Sequence, residues 1–206
     1  MGAIRAFVGI PLAAPARSAV RRACDTFLES APAWSGEKWV PDHNLHVTVK
    51  FIGRIEEPDV ALAIESLAGA CAGFEPFDMY LDRIVAKPGP GRARMLWARC
   101  LDGSGRSAGL AGSIDVALSG LLGLETETRA YSPHVTLVRA RNPRPAPRDA
   151  LDAATAVFDA LSPSCGTVPS APATLVSVSS VTLFRSEPGK TGPVYTELAS
   201  IPLGND

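Results

Sequence analysis

The chain has 206 residues, of which 46% are hydrophobic and 20% charged, and its formal net charge is −1. This length suits one domain with a substantial core, and this composition excludes an intrinsically disordered chain. The near-neutral charge argues against a protein that coats nucleic acid by bulk electrostatics, although not against one that binds a single strand end.

The sequence carries no signal for a membrane or for export. No apolar run approaches the roughly 20 residues that a membrane-spanning helix needs. The N-terminus enters an apolar segment directly, without a basic region or a cleavage-site pattern. We therefore expect a cytoplasmic protein that does not bind membranes.

Hydrophobic periodicity and turn residues predict a mixture of helices and strands along the chain. Apolar residues at helical spacing indicate helices over about 15–31, 58–71, 105–122 and 150–161. Runs of β-branched and aromatic residues indicate strands over about 4–12, 45–52, 74–86, 93–101, 132–138, 174–185 and 193–203. An Arg/Pro-rich stretch, 141–149, and a Pro/Ser-rich loop, 162–173, are expected to connect elements.

The element order is β-α-β-α-β-β and then α-β-α-β-β, with the tripeptide His-Val-Thr on a strand of each half. A duplicated α+β unit is therefore predicted, with two lobes that flank a cleft. Because no linker looks long enough to separate independent cores, we expect one domain over 1–206 with pseudo-symmetric halves of about 1–101 and 102–206. Nothing in the sequence suggests an obligate dimer, and we expect a monomer.

Four cysteines, Cys24, Cys71, Cys100 and Cys165, are scattered without a C-x-x-C pair. This pattern excludes the usual zinc-finger and thioredoxin spacings. Reduced thiols that pack as small hydrophobic side chains are expected instead.

The strongest chemical signal is a repeated motif. The chain has three histidines, and two of them begin the same tripeptide, His46-Val47-Thr48 and His134-Val135-Thr136. Threonine occupies 11 of 206 positions, so a threonine two residues after a given histidine arises by chance about once in twenty. One such motif would mean little, whereas two in corresponding halves of a repeat indicate a shared function.

The spacing of the motif predicts which side chains meet. Side chains alternate across a strand, so His46 shares a face with Thr48, and His134 shares a face with Thr136. Each strand then offers an imidazole, which gives or takes a proton near neutral pH, and a hydroxyl, which donates to a phosphoryl oxygen. Two such pairs form a symmetric clamp around one phosphate. The side chains on the opposite face are expected to be buried against helices. They are those of Val47, Val49, Phe51, Val135 and Leu137.

The paired H-x-T-x motifs, at residues 46–49 and 134–137, resemble the signature of the 2H phosphoesterase superfamily. Their surroundings are similar to the bacterial and archaeal RNA 2′,3′-cyclic phosphodiesterases, also called 2′-5′ RNA ligases, over segments 5–10, 39–45, 50–53, 131–133, 183–187 and 195–198. The resemblance covers nearly the whole chain and implies two antiparallel sheets that face a central cleft, with helices on the outside. His43 departs from the family pattern, in which an acidic residue is more usual at that position.

The resemblance implies that water opens a 2′,3′-cyclic phosphate at an RNA end and leaves a 2′-phosphomonoester. It further implies that His46 donates a proton to the departing 3′-oxygen, that His134 accepts a proton from the water, and that Thr48 and Thr136 hold the non-bridging oxygens. The residues by themselves support the pairing without assigning the two roles. No acidic cluster or Cys/His spacing accompanies the pair, so we expect neither a metal nor another cofactor.

Several other residues have both a functional and a structural interpretation. Lys50 is expected on the face of His46, and Arg139 follows the second motif, but solvated charges explain both equally. His43 is expected in the loop before its strand. Four arginines could guide an RNA strand toward the cleft or simply belong to a basic surface loop. They are Arg139, Arg141, Arg144 and Arg148. Base stacking and packing are both compatible with Phe7, Trp39 and Tyr131.

Two other functions compete with RNA end hydrolysis. The same chemistry could act on a cyclic phosphate of a small nucleotide or an ADP-ribose derivative. Alternatively, the fold could serve as an RNA- or nucleotide-binding module without turnover. The intact His/Thr pairs argue against the second alternative, because binding alone does not need two proton carriers. The reverse reaction, 2′-5′ ligation, remains open.

Overall fold

A computed structural model describes residues 2–162, 172–189 and 192–204. Within these residues the chain forms helices and strands in the order that the sequence predicts. The strands are β1 (Ala3–Pro11), β2 (Lys38–Trp39), β3 (His46–Glu56), β4 (Phe77–Lys87), β5 (Ala93–Leu101), β6 (His134–Arg144), β7 (Leu175–Val178), β8 (Ser180–Pro188) and β9 (Pro193–Pro202). The helices are α1 (Ala14–Ser30), α2 (Asp59–Cys71), α3 (Arg106–Leu122) and α4 (Arg148–Leu161).

The strands form one antiparallel sheet in the order β7-β4-β5-β6-β3-β1-β8-β9, with β2 added against β6. The predicted α+β class is confirmed. The two predicted sheets are halves of this larger sheet, because β3 and β6 pair at Val47 and Val135. Each half contains strands from both halves of the sequence, since β4 and β5 lie with β6 and β7 while β1 and β3 lie with β8 and β9.

The helices also divide between the two halves of the sheet. Helices α1 and α4 pack against each other and against β4 and β7, whereas α2 and α3 pack together near β3 and β9. On α1 the apolar residues at helical spacing predict an inner stripe of Ala19, Val20, Ala23, Phe27 and Leu28. The first four are each 1% exposed, and Leu28 is partly buried against the core. Helical periodicity therefore identified the inner face of α1 correctly.

Two local differences from the prediction have physical reasons. Strand β6 extends to Arg144, because β5 continues to pair with it as far as Ala93 and satisfies its backbone groups. The predicted strand 174–185 is two strands, since β7 pairs with β4 and β8 pairs with β1. Most of the Pro/Ser-rich loop, with Cys165, lies outside the described residues. The free thiols of Cys24, Cys71 and Cys100 are buried, as expected.

Candidate active site

The two motifs begin two neighbouring strands. His46 is the first residue of β3, His134 is the first residue of β6, and Val47 pairs directly with Val135. Both valines are 0% exposed. In this antiparallel register each histidine lies across from the threonine of the other motif, and all four side chains share the face opposite the valines.

Both imidazoles are held by the same backbone contact. Nδ1 of His46 lies 2.7 Å from the carbonyl oxygen of Asn44, and Nδ1 of His134 lies 2.7 Å from the carbonyl oxygen of Ser132. A carbonyl oxygen can only accept, so each Nδ1 carries the proton and donates. Each neutral ring therefore has an unprotonated Nε2, whose lone pair can accept a hydrogen bond or a proton. The Nε2 of His46 lies 3.1 Å from the Thr48 hydroxyl.

Aromatic side chains fix the planes of both rings. His134 stacks on Trp97 with ring centroids 3.6 Å apart, and Lys87 Nζ lies 4.9 Å from the centroid of the Trp97 ring. His46 packs on Phe7 at 4.8 Å and meets the edge of Tyr195 at 5.4 Å. These contacts restrict the rotation of each imidazole and so fix the direction of its Nε2.

Gly9 and Asn44 both help to position His46. A Cβ atom at Gly9 would lie 3.1 Å from Cδ2 of His46 and 3.2 Å from the Val47 carbonyl oxygen. Only a residue without a side chain lets β1 approach the ring this closely. The buried Asn44 side chain donates to the Pro193 carbonyl at 2.8 Å and ties the start of β3 to β9.

A β-bulge follows the threonine in each motif. The ladder from β1 skips Val49, and the ladder from β5 skips Leu137, so the fourth residue of each motif is the extra one. An extra residue shifts the alternation of the strand by one position. Phe51 consequently turns to the cleft face and is 67% exposed. The expectation that Phe51 is buried against helices is wrong for this reason. The equivalent shift on β6 brings Arg139 to the cleft.

Two connected cavities make up the cleft, each about 430 Å³ in volume. One, the His134 cavity, lies between β3, α3 and the segment 127–134. The other, the His46 cavity, lies over β1, β3 and β6. Thr48 and Phe51 line both cavities, so the two spaces meet at the first motif. The His46 cavity also contains the side chains of Thr136, Arg139, Tyr195 and Arg5.

Burial lowers the pKa of both imidazoles, because the protonated ring is the charged form. The carbonyl that each Nδ1 contacts opposes this effect by favouring the protonated ring. The positive charge of Arg139 lowers both pKa values further, and His134 acts on His46 in the same direction. Lys87 adds to the lowering at His134. The cleft therefore places two imidazoles with lowered pKa values within electrostatic reach of each other.

The LigT-like phosphoesterase family model matches residues 11–97. An RNA 2′,3′-cyclic phosphodiesterase of Methanothermobacter thermautotrophicus is 30% identical to this chain. The match covers 95% of this chain and 96% of the relative's length. Another, from Aeropyrum pernix, is 30% identical over 80% of this chain and 85% of its own. The chain belongs to the LigT-like phosphoesterase family.

Solved structures of other proteins share the fold. The TT0787 protein of Thermus thermophilus superimposes with a TM-score of 0.73 at 24% identity, covering 98% of this chain and 100% of its own. LigT of E. coli in its apo form gives a TM-score of 0.68 at 20% identity, with full coverage of both chains. These superpositions show a shared fold, and the relatives described above confirm the predicted resemblance to phosphoesterases.

Other predicted residues of this LigT-like phosphoesterase have structural partners. Lys50 turns toward α3 and forms an ion pair with Asp115, because the bulge at Val49 shifts its position on β3. Arg144 forms an ion pair with Glu37. His43 is exposed and lies in a short 3₁₀ helix before β3, close to its expected place.

The three aromatic residues with two interpretations are involved in packing. The Trp39 indole donates to the Trp34 carbonyl at 2.9 Å, and its ring faces Phe27. Phe7 is 4% exposed and lies beneath His46. The Tyr131 hydroxyl donates to the Thr48 carbonyl at 3.0 Å, and burial raises its pKa. All three aromatic side chains therefore have structural contacts within the protein.

Sequence reasoning missed the supporting residues of this phosphoesterase. Gly9 and Asn44 lie in family-like segments and Trp97 does not, but nothing local shows the role of any of the three, because that role depends on strands that pair far along the chain. Within the described ranges, no group of three or more His, Cys, Asp or Glu side chains is arranged to hold a metal ion. In the same ranges, no helix is long and apolar enough to cross a membrane.

Proposed function

We propose that this phosphoesterase hydrolyses 2′,3′-cyclic phosphates at RNA ends to 2′-phosphomonoesters, without a metal, and uses His46 and His134 as its acid–base pair. The observation that carries the proposal is the matched pair of imidazoles on β3 and β6. Each is anchored through Nδ1 on a carbonyl 2.7 Å away, so each presents Nε2 for proton transfer. The curated relatives named RNA 2′,3′-cyclic phosphodiesterases support the choice of substrate.

In the proposed reaction His134 is the base and His46 is the acid. The Nε2 lone pair of His134 takes a proton from water as the water oxygen attacks phosphorus. The bond between phosphorus and the 3′-oxygen breaks, and the protonated Nε2 of His46 gives its proton to that oxygen. The product carries a 2′-phosphate and a 3′-hydroxyl. Proton exchange with solvent then returns His134 to its neutral form and His46 to its protonated form.

The hydroxyls and the nearby cation hold the phosphate during this exchange. Thr48 and Thr136 donate hydrogen bonds to the two non-bridging oxygens. Arg139 contributes a positive charge in the same cavity, which offsets the charge that develops on these oxygens. Preorganised donors of this kind are worth roughly 10² to 10³ in rate when one is removed.

The lowered pKa of His46 has a consequence for its role as acid. In the free enzyme, burial, the neighbouring His134 and the positive charge of Arg139 disfavour the protonated ring. A bound phosphodiester anion favours the protonated ring, because an opposite charge nearby stabilises it. Substrate binding thus prepares the acid, while His134 remains free to act as the base.

The exposed ring of Phe51 gives the terminal nucleoside a place to bind. It is 67% exposed and lies where the two cavities meet, beside Thr48. A base that stacks on an aromatic side chain gains roughly 1 to 3 kcal/mol. The His134 cavity, at about 430 Å³, falls within the size range of small-ligand sites.

Hydrolysis of a small cyclic nucleotide, or of an ADP-ribose cyclic phosphate, remains the second candidate function, because the same four motif side chains would serve it. Reverse 2′-5′ ligation belongs to the same proposal. In ligation the 5′-hydroxyl of a second RNA would attack phosphorus in place of water, so this activity depends on the RNA ends that are supplied.

A substrate panel tests the proposed function. Purified enzyme is incubated in EDTA with RNA oligonucleotides that end in a 2′,3′-cyclic phosphate, with 2′,3′-cyclic mononucleotides and with an ADP-ribose cyclic phosphate. We expect the RNA ends to give the highest kcat/KM and only 2′-phosphate products. Formation of 3′-phosphates would contradict the assigned leaving group, and preference for a small substrate would support the second candidate.

A further inference from the structure

Three arginines line a third cavity, which adjoins the cleft. Arg5 on β1, Arg54 on β3 and Arg185 on β8 surround a space of about 550 Å³. We call it the arginine groove. It shares Arg5, Gly53 and Ser186 with the His46 cavity, so the two spaces adjoin each other. The arginine groove is therefore an open extension of the proposed active site.

The arrangement of these arginines is unfavourable in the absence of an anion. Arg5 and Arg54 are both exposed and stand directly opposite each other on β1 and β3. Like charges in such a cross-strand pair are destabilising. Arg185 is opposite Ala6 on the next strand. The guanidinium groups of Arg5 and Arg54 thus repel each other across the strand pair, and Arg185 on the adjacent strand lines the same groove.

Acidic groups compensate only part of this charge. Among the groups that line the arginine groove, Glu187 is the carboxylate, and it pairs with Arg185 at 3.1 Å. The groove therefore has spare positive charge, which is carried by Arg5 and Arg54.

The other end of the cleft has no such excess. The His134 cavity is lined by two cationic and two acidic side chains, and Lys50 and Asp115 among them are paired with each other. Glu127 accepts a hydrogen bond from the backbone of Arg129 at its side. An anionic strand that leaves the cleft is therefore attracted toward the arginine groove rather than toward α3.

We propose that the arginine groove binds the sugar–phosphate backbone of the RNA strand that leads to the cyclic phosphate. The inference rests on the proposed function and adds to it a site for internal phosphates. Arg54 follows His46 by eight residues on β3, which corresponds to roughly 25 Å along an extended strand. The groove therefore contacts nucleotides upstream of the terminal one, where a mononucleotide does not extend.

A length series with a charge-removal variant tests the groove. The substrates are a 2′,3′-cyclic mononucleotide and oligonucleotides of increasing length up to an octamer, each ending in the cyclic phosphate. They are compared in the wild type, in Arg5→Gln/Arg54→Gln/Arg185→Gln and in the double variant Arg5→Gln/Arg54→Gln. The matched control is Arg22→Gln, because Arg22 is exposed on α1 and lines none of the three cavities. Circular dichroism checks the folding of each variant.

In the wild type we expect kcat/KM to rise with length, and in the triple variant we expect most of this rise to be lost. For single strands, each phosphate contact contributes about 0.7 to the magnitude of the slope of the logarithm of the binding constant against the logarithm of the salt concentration. Three lost contacts lower the slope by about 2. An increase from 50 to 200 mM salt should then cost the wild type roughly 20-fold more octamer affinity than it costs the triple variant.

Direct binding separates the groove from the catalytic proposal. Fluorescence anisotropy measures the affinity for labelled oligonucleotides with a 2′-phosphate end, which are not hydrolysed. Length-dependent, arginine-dependent binding without hydrolysis of the cyclic substrates would refute the proposed function and leave the groove in place. Binding that is independent of length, or unchanged in the triple and double variants, would refute the groove. An acidic peptide of equal charge that bound as tightly as the octamer would refute its assignment to RNA.

Discussion

Val47 and Val135 lie directly opposite each other on β3 and β6, and both side chains are fully buried. This pair joins the two halves of the sheet at the centre of the molecule. It also sets the register in which His46 lies across from Thr136, and Thr48 across from His134. The proposed action of both motifs on one phosphate requires this register, because a shift by one residue would turn one motif into the core.

Replacement of either histidine should remove most of the activity. We expect His46→Ala and His134→Ala each to lower single-turnover hydrolysis of an RNA 2′,3′-cyclic phosphate by about 10² to 10⁴. The double variant should lose less than the product of the two single losses, since residues that act as a unit are not additive. Thr48→Val and Thr136→Val should cause milder losses, because both proton carriers remain.

The third histidine provides the control for these variants. His43 is exposed and does not line the three cavities described above, so His43→Ala should keep wild-type turnover. A well-folded His134→Ala protein with near wild-type activity would show that water is activated elsewhere, and the assignment of His134 as base would be wrong.

The pH dependence follows from the lowered pKa values of the two imidazoles. The active form carries one proton on the pair, so kcat/KM should follow a bell-shaped profile with two apparent pKa values. Both lie below the ordinary histidine value of about 6.5, which puts the maximum of the profile on the acid side of that pH. The profile of kcat should lie at higher pH, because the bound anion raises the pKa of His46. A kcat/KM maximum above about pH 7 would contradict this account.

Arg139 should affect both substrate binding and the pH profile. Loss of its charge in Arg139→Gln removes a group that lowers both imidazole pKa values, so the profile should move to higher pH. KM should increase roughly 10-fold or more, as expected for a charged hydrogen bond to the phosphate. Arg139→Lys should restore much of the profile. Arg141→Gln is the matched control, because Arg141 is exposed on the same strand outside the cavities.

Gly9→Ala should lower activity through the position of His46. The new methyl group would meet Cδ2 of His46 at 3.1 Å, so the imidazole must move by a few tenths of an ångström. Such a displacement should reduce kcat by up to roughly 10-fold, since larger errors of about 1 Å cost about 100-fold. Gly36→Ala is the control, because nothing lies within 4 Å of its added Cβ. Unchanged kcat in a folded Gly9→Ala protein would mean that the ring position is not critical.

Hydrolysis should persist in excess EDTA. Proton transfer by the two imidazoles and hydrogen bonds from the threonines account for the proposed chemistry without a Lewis acid. The measurement is the initial rate after dialysis against EDTA, with and without added Mg²⁺ or Mn²⁺. Activity that disappears and returns only with a divalent ion would overturn the proposed mechanism.

The sequence by itself determined the type and order of most elements, the inner face of α1 and the four motif residues. These features depend on periodicities of about 3.6 and 2.0 residues, which are local and visible without any partner. The same periodicity predicted the wrong face of the sheet for Phe51 and did not predict the environment of Arg139. The reason is that a β-bulge interrupts the alternation in each motif strand. Bulges depend on how a strand pairs with its neighbour, and the neighbours here are β1 and β5.

The tertiary structure decided which residues surround each histidine. Phe7, Gly9 and Tyr195 reach His46 from strands at opposite ends of the chain, and Trp97 reaches His134 from β5. The division into sequence halves near residue 101 remains a prediction, whereas each half of the sheet mixes strands from both. Local patterns indicate which face of an element a side chain occupies. Only the pairing of distant strands determines which aromatic ring, charged group or glycine lies beside each imidazole.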